Sequence, residues 1–143
     1  MSSNLKQFNT SLIKFVGELK QMNIGLESEL SQLENFLEIT HINARAVISI
    51  FQKYFLTDLF IKNILKNNIT FFIMYNTFDK IPEKDKEIAI SVIGKIQTLA
   101  KTLQNKEDND KISTILKNLK ILAYFAYSDL GINANEKFKS LIC

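Results

Sequence analysis

Apolar residues recur at every third or fourth position near the start of the chain. From residue 4 to residue 22 these steps continue without a miss, which is the spacing of one face of an α-helix. We therefore predict an amphipathic helix over 4–22, and a second from Leu26 to Ile39 after a break at Gly25. The apolar positions of the first helix are Leu5, Phe8, Leu12, Phe15, Leu19 and Met22.

The narrow apolar face of this first helix has two interpretations. Packing inside its own domain is favoured. A self-associating coiled coil is the alternative, although three heptads are short for that arrangement. Gly17 lies inside the helix, where glycine costs about 1 kcal/mol relative to alanine. We therefore expect Gly17 to mark a close crossing with another helix.

The stretch from Asn43 to Tyr75 is the most apolar part of the chain, and we predict that it lies at the centre of the fold. Asn43 suits the cap of a helix that runs to Phe55. Thr57 and Asp58 then either cap a new helix or lie on the exposed side of a continuous one. Beyond them apolar residues occur on every side, which is typical of a buried helix. These residues are Leu59, Phe60, Ile61, Ile64 and Leu65.

The end of this stretch, residues 69–75, has the composition of a β-strand. No other segment alternates with a period of two, and a lone strand would leave its backbone groups unpaired. A short buried helix or turn is therefore predicted there. Charged residues interrupt the whole stretch too often for a membrane span.

Capping residues indicate where the later helices begin and end. Pro82 suits the first position of a helix that continues to about residue 103, and Asp110 is the expected cap of the next. Gly131 is placed to end that helix in the left-handed conformation. Asn133 resembles the cap of a last helix over 134–142. The chain is thus predicted to be all-α, a single domain over 1–143 with six or seven helices around a buried central helix.

Charges of opposite sign separate the second helix from the stretch that follows it. The outer face of the second helix carries acidic residues and no basic one, whereas the next helices carry mainly basic residues. The simpler interpretation is an antiparallel hairpin steadied by weak surface ion pairs. The alternative is an acidic docking face. The residues concerned are Glu27, Glu29, Glu34 and Glu38, against Arg45, Lys53, Lys62 and Lys66.

Composition is that of an ordinary globular domain, with 46% hydrophobic and 23% charged residues and a net charge of +3. Arg45 is the only arginine, which disfavours specific recognition of nucleic-acid bases. Non-specific contact with nucleic acid through lysines is an alternative function, and it would weaken steeply with salt. The candidate contacts are Lys53, Lys62, Lys66, Lys117 and Lys120.

Residues with catalytic chemistry are few. His41 is the only histidine and Cys143 the only cysteine, so neither a zinc site nor an intramolecular disulfide is predicted. The chain has no glycine-rich phosphate loop and no motif of a hydrolase or metalloprotease. We therefore expect a protein that is not an enzyme and holds no cofactor or metal. Residues 1–11 contain no apolar signal core, so an intracellular location is expected.

Several short motifs resemble a family of small, uncharacterised helical proteins of nucleocytoplasmic large DNA viruses. The resemblance spans about residues 8–100 and implies a viral protein made in the host cytoplasm, with packaging in the particle as a further expectation. It supplies no catalytic residues. The motifs are Phe8-Asn9 with Leu12 and Phe15, Asn43-Ala-Arg45, Phe51-Gln-Lys-Tyr54, Ile64, Phe71-Phe72, Lys86-Glu87 and Ile96-Gln-Thr-Leu99.

These observations predict a non-enzymatic interaction or structural protein with a protein partner. One alternative is an oligomerising bundle, in which the apolar faces of 5–22 and 88–103 complete a dimer. The non-specific nucleic-acid-binding protein described above is another. An enzyme with an unrecognised site would need a deep pocket that contains paired acids or His41.

Overall fold

The computed structural model describes residues 3–22, 25–40 and 45–142, and in these residues the chain is an all-α bundle. Two of the helices contain a π turn, a wider turn closed by i→i+5 hydrogen bonds. The elements are α1 (Ser3–Gln21), α2 (Glu27–Thr40), α3 (Ala46–Ile50) continued by a first π turn (Phe51–Phe55), α4 (Asp58–Leu65), α5 (Ile69–Met74), a 3-10 turn (Phe78–Lys80), α6 (Glu83–Ala89) joined by a second π turn (Ile90–Gly94) to α7 (Lys95–Asn105), α8 (Asn109–Asp129) and α9 (Ala134–Ile142).

The predicted all-α bundle is therefore confirmed. When each π turn is counted with the helix that it continues, the described residues form eight helices. The sequence predicts six or seven helices. The additional helix is α5, a segment for which the sequence predicts either a short helix or a turn. The predicted helices over 4–22, 26–39 and 134–142 match α1, α2 and α9 within one residue at each end.

The stretch from 43 to 75 shares the centre of the bundle with α8, which corrects the prediction that it forms the centre alone. Its burial is largely confirmed, since the following inward-facing residues are buried: Val47, Ile48, Phe51, Phe55, Phe60, Ile61 and Ile64. α8 packs against α1, α4, α7, α9 and the first π turn. In contrast, Leu59 on α4 is 61% exposed and Met74 at the end of α5 is 74% exposed. α4 is only eight residues long and is covered on one side by α8 and α9, so a helix that is apolar all round cannot bury every side chain there.

The first helix packs inside its own domain, as its apolar face predicts. Leu5, Phe8, Leu12, Phe15 and Leu19 are all buried, and α1 lies along α8 and α2. The expected close crossing at Gly17 is wrong, because a Cβ atom added there would meet nothing within 4 Å.

Helix boundaries near residues 57 and 68 follow from side-chain caps. The Thr57 hydroxyl accepts a hydrogen bond from the Phe60 backbone N–H at 3.3 Å, so Thr57 begins a new helix instead of continuing the previous one. The Asn68 side chain caps α5 in the same way, accepting from Phe71 at 3.1 Å. The predicted cap at Asn43 lies outside the described residues.

The cap of α8 is Asp108, two residues before the predicted Asp110. Its carboxylate accepts the Lys111 backbone N–H at 3.3 Å, and Asp110 lies inside the first turn. Glu107 has a φ of 55°, in the left-handed region, and ends the short connection that follows α7. The next residue, Asp108, is the cap of α8. The predictions at the other end are confirmed: Gly131 has a φ of 79°, and Asn133 caps α9.

The predicted ion pairing between α2 and the following helices is wrong. Glu34 pairs instead with Lys20 of α1 at 3.1 Å, and Arg45 forms two hydrogen bonds with Asp129 at 2.9 and 3.1 Å. The reason is topological, because α2 packs against α1 and the second π turn. Spatial neighbours therefore supply the counter-charges, instead of neighbours along the chain.

Candidate interaction surfaces

An apolar groove with acidic residues at its rim lies between α1 and α2, and we call it the α1–α2 groove. Its volume is about 320 Å³. Val16 and Leu37 are buried at its base, whereas Ile13 is 53% exposed. Glu34 and Glu38, one helical turn apart on α2, supply the charge. Such a surface can receive apolar side chains and can attract cations at its edge.

The carboxylates of α2 differ in how they are engaged. Both oxygens of Glu34 accept hydrogen bonds from the Lys20 ammonium, at 3.1 and 3.3 Å. Among the described residues no cation pairs with Glu38, which is exposed. The net charge of the groove is therefore negative, and Glu38 carries it.

Two of the lysines predicted to contact nucleic acid, Lys117 and Lys120, line a second groove. It lies between α8 and the corner that joins α4 to α5, has a volume of about 580 Å³, and is called the α8 groove. The Lys120 ammonium donates a hydrogen bond to the Asn67 side-chain oxygen at 2.8 Å, which ties the two walls together. The residues that line the α8 groove are Asn67, Ile69, Asn109, Ile112, Ser113, Leu116, Lys117 and Lys120.

The other three predicted lysines divide between two places. Lys62 and Lys66 are exposed and one helical turn apart on α4, and Lys66 directly precedes Asn67 of the α8 groove. Lys53 lies elsewhere, in a third groove of about 510 Å³ between α3, the first π turn and α6, together with Lys84. Of the five predicted lysines, the structure thus brings only Lys117 and Lys120 together in one groove.

The third groove contains charged groups that are already engaged. The Arg45 guanidinium binds the Asp129 carboxylate, and these hydrogen bonds raise the pKa of Arg45. The Tyr54 hydroxyl donates a hydrogen bond to the Asp85 carboxylate at 3.1 Å. The pKa of Tyr54 is raised, mainly by burial and secondly by this hydrogen bond. The groove therefore has less free charge than its residue types suggest.

A metal site would need several His, Cys, Asp or Glu side chains close together. Across 3–22, 25–40 and 45–142, no three such side chains come together in an arrangement that could hold a metal ion. His41 and Cys143 lie outside these residues. The Asp108 carboxylate serves as a helix cap and pairs with the Lys111 ammonium at 3.1 Å, and the hydrogen bond from Lys111 lowers the pKa of Asp108.

A helix that crosses a bilayer must be both long and apolar. In the part of the chain that the structure describes, no helix combines the length and the hydropathy needed to cross a bilayer.

Comparison with protein-family models, with curated proteins and with solved structures found no match to this chain. The described residues form an all-α bundle whose α1–α2 groove is lined by glutamates and whose α8 groove is lined by lysines.

The sequence indicates an acidic face on α2 and candidate lysines on α8, but it does not indicate that either belongs to a groove. The acidic face of α2 was visible as a pattern, but the apolar base contributed by Val16 of α1 depends on how the two helices pack. Likewise Lys117 and Lys120 were named for their charge, whereas Ser113 and Asn67 were not singled out. A polar position recurring every fourth residue along α8 was the signal that could have located Ser113.

Proposed function

We propose that the protein is a non-enzymatic interaction protein that binds a basic amphipathic helix of a protein partner in the α1–α2 groove. The observation that carries this proposal is an exposed apolar side chain, Ile13, beside a groove whose rim is acidic. Helix-in-groove recognition joins these two features, because the apolar face of a partner helix fills the groove while its charges meet the rim.

Desolvation of the groove supplies the binding energy. Covering an exposed isoleucine, and burying one or two apolar side chains of the partner, contributes roughly 1.5–3 kcal/mol for each side chain that becomes fully buried. Val16 and Leu37 are already buried by the bundle, so they provide a preformed surface without folding on binding.

Charge complementarity identifies the partner as basic. The acidic residues Glu27 and Glu29 in the first turn of α2 favour the helix itself, because they lie at the positive end of its dipole. Glu38 is in the last turns, where a negative charge disfavours the helix. An exposed carboxylate with no cation beside it at that position is better suited to a lysine or arginine of a partner.

We further propose that the protein is a component of a large DNA virus, made in the host cytoplasm and carried in the particle. Support for this part comes from the short sequence motifs between about residues 8 and 100 that resemble that viral family. Mass spectrometry of purified particles and of infected host cytoplasm tests this part. Finding the gene in the genome of an uninfected cell line would contradict it.

The binding proposal is tested with a fluorescent 18-residue helical peptide of leucine and lysine, and with a second peptide in which glutamate replaces lysine. We expect the basic peptide to bind and the acidic one not to bind. The variants Ile13→Asp and Glu38→Lys should each weaken binding at least tenfold. Fluorescence anisotropy measures the dissociation constants.

Matched controls place the same changes away from the groove. Leu59→Asp alters an equally exposed apolar residue on α4, and Glu87→Lys alters an exposed carboxylate on α6. Both should bind the basic peptide within about twofold of the parent protein. Equal binding by the groove variants, or equal affinity for the two peptides, would overturn the proposal.

A further inference from the structure

A polar stripe on α8 combines groups that can bind phosphate with an aromatic ring. At 3.6 residues per turn, the five positions of this stripe fall within an arc of about 80° on one side of the helix. They present two amide- or hydroxyl-bearing side chains, two ammonium groups and one phenol. In chain order the positions are Asn109, Ser113, Lys117, Lys120 and Tyr124.

The ammonium groups of this stripe are available to a ligand. Among the described residues Lys117 has no carboxylate partner, and Lys120 donates only to the neutral oxygen of Asn67. No carboxylate lines the α8 groove. Asp110, in the first turn of α8, lies beside the start of the stripe, where its negative charge repels phosphate. The phosphate contacts are therefore expected at Ser113, Lys117 and Lys120 and not at Asn109.

The lysines near α4 lie outside this groove. Lys120 contacts Asn67 just after the end of α4, so the corner between α4 and α5 forms the opposite wall. Phe60, Ile61 and Ile64 form the buried side of α4, and at 3.6 residues per turn Lys62 and Lys66 fall on the opposite, exposed side. The ammonium groups of the α8 groove are therefore those of Lys117 and Lys120.

From this arrangement we infer that the α8 groove binds the phosphodiester backbone of a single-stranded nucleic acid. Ser113, Lys117 and Lys120 contact phosphates, and Tyr124, which is 37% exposed, stacks on a base. The contact is indifferent to base sequence, because lysine is a point charge without the paired donors of arginine. This inference is independent of the α1–α2 groove.

A single strand fits this surface better than a duplex. The polar face of α8 forms one wall of a groove and does not project from the protein, so it cannot enter the major groove of DNA as a recognition helix does. A flexible strand can follow the groove and turn one base onto Tyr124. The closest chemical alternative, binding of free phosphate alone, would not involve the ring.

The first experiment measures how binding depends on salt. Labelled 18-residue oligothymidylate and oligouridylate are titrated with the full chain between about 20 and 200 mM salt. With two lysines on phosphates, the logarithm of the binding constant should fall against the logarithm of the salt concentration with a slope of about −1.4. The variant Lys117→Gln with Lys120→Gln should bring the slope close to zero.

Two comparisons between variants distinguish binding in the α8 groove from attraction by the protein's overall charge. Lys6→Gln with Lys14→Gln removes two exposed lysines of α1 and should leave the slope nearly unchanged. Ser113→Glu places a carboxylate in the groove and should weaken binding at least tenfold, whereas Ser113→Gln, of the same size, should weaken it less than threefold. Circular dichroism confirms that each variant remains folded.

The stacking contact is tested separately. Tyr124→Ala should weaken binding about fivefold or more, and Tyr124→Phe should retain binding. The inference is overturned if the α1 variant loses as much of the salt slope as the α8 variant, or if Ser113→Glu and Ser113→Gln bind equally. It is also overturned if a duplex of the same length binds as tightly as the single strands. Full competition by inorganic phosphate at equal phosphate concentration would overturn it too, because the groove would then bind a free anion.

Discussion

Gln97 shows how one buried side chain fixes the end of a neighbouring helix. It lies on α7 with its amide directed into the bundle, where the nitrogen donates to the backbone oxygens of Phe72 at 3.0 Å and Tyr75 at 2.7 Å. Phe72 lies in α5, where its oxygen also accepts the Tyr75 backbone N–H at 3.3 Å, and Tyr75 is the residue that caps the helix end. A side chain remote in sequence thus completes the hydrogen bonding of the short helix α5.

We expect Gln97→Leu to lower the free energy of unfolding by about 1–3 kcal/mol. The partly buried Tyr75 carbonyl would lose the donor that Gln97 supplies, and the Phe72 carbonyl would keep only the Tyr75 N–H. Gln104→Leu is the control, since Gln104 lies seven residues further along α7 and bonds only the Thr70 hydroxyl at the surface. Its effect should stay within about 0.5 kcal/mol. Urea denaturation measures both, and equal losses would contradict the role assigned to Gln97.

Tyr127 is the opposite case, a buried hydroxyl with no hydrogen-bond partner among the described residues. Its ring packs against Phe138, and burial, followed by the nearby charge of Asp58, raises the pKa of Tyr127 to about 12. Removal of an unsatisfied hydroxyl group leaves nothing unpaired. Tyr127→Phe should therefore be at least as stable as the parent protein at pH 7.

The same residue has a pH signature. In the unfolded chain tyrosine ionises near pH 10, but in the folded protein Tyr127 stays protonated to about pH 12. Below pH 10 both states hold the proton. Between pH 10 and 12 only the unfolded state loses it, so stability falls by roughly 2 kcal/mol. Tyr127→Phe should remove this component of the alkaline loss, and identical pH profiles would contradict it.

At the residue scale, local chemistry was predictable and remote contacts were not. The caps Asn133 and Thr57 are read from side-chain types that accept backbone N–H groups a few positions ahead. The partner of Arg45, in contrast, is Asp129, 84 positions away. No local pattern specifies that pairing, because it depends on where α8 ends relative to α3.

At the element scale, two of the three glycines with open surroundings, Gly17 and Gly131, test what the backbone itself contributes. A Cβ at Gly17 or at Gly131 would meet nothing within 4 Å. Gly17 lies within α1, whereas Gly131 has a φ of 79°, which side chains disfavour. The two positions therefore differ in backbone conformation and not in available space.

We expect Gly17→Ala to raise the free energy of unfolding by about 0.5–1 kcal/mol, since alanine is the better helix former and no neighbour must move. Gly131→Ala should lower it by about 1 kcal/mol or more, because the left-handed conformation strains a residue with a Cβ. Thermal melting followed by circular dichroism distinguishes the two. A loss at Gly17 would mean that α1 makes a close contact there after all.

The elements themselves were largely predictable, and their irregularities were not. The apolar spacing of α1 and α7 indicated helices because a 3.6-residue period is a property of the sequence alone. The same spacing cannot show that Phe51–Phe55 and Ile90–Gly94 form π turns, since one wider turn shifts the period too little. The exposure of Leu59 also escaped prediction, because it depends on which side of α4 its neighbours cover.

At the scale of the whole molecule, the apolar faces proposed for a dimer are already used within the chain. The face of α1 is buried against α8 and α2, and Val92, Ile96, Leu99 and Leu103 are buried along the second π turn and α7. A dimer built from these faces would have to open the bundle. The exposed apolar residues that remain, such as Ile13 and Leu59, lie on different helices.

We therefore expect the chain to sediment as a monomer of 16.5 kDa at tens of micromolar. The α1–α2 groove is acidic and the α8 groove basic, so two copies could attract each other head to tail, but such a contact is not closed by symmetry and weakens with salt. Sedimentation equilibrium at about 50 and 500 mM salt separates these cases. A dimer at both salt concentrations would contradict the monomer, and its dissociation by Ile13→Asp would identify the α1–α2 groove as the interface.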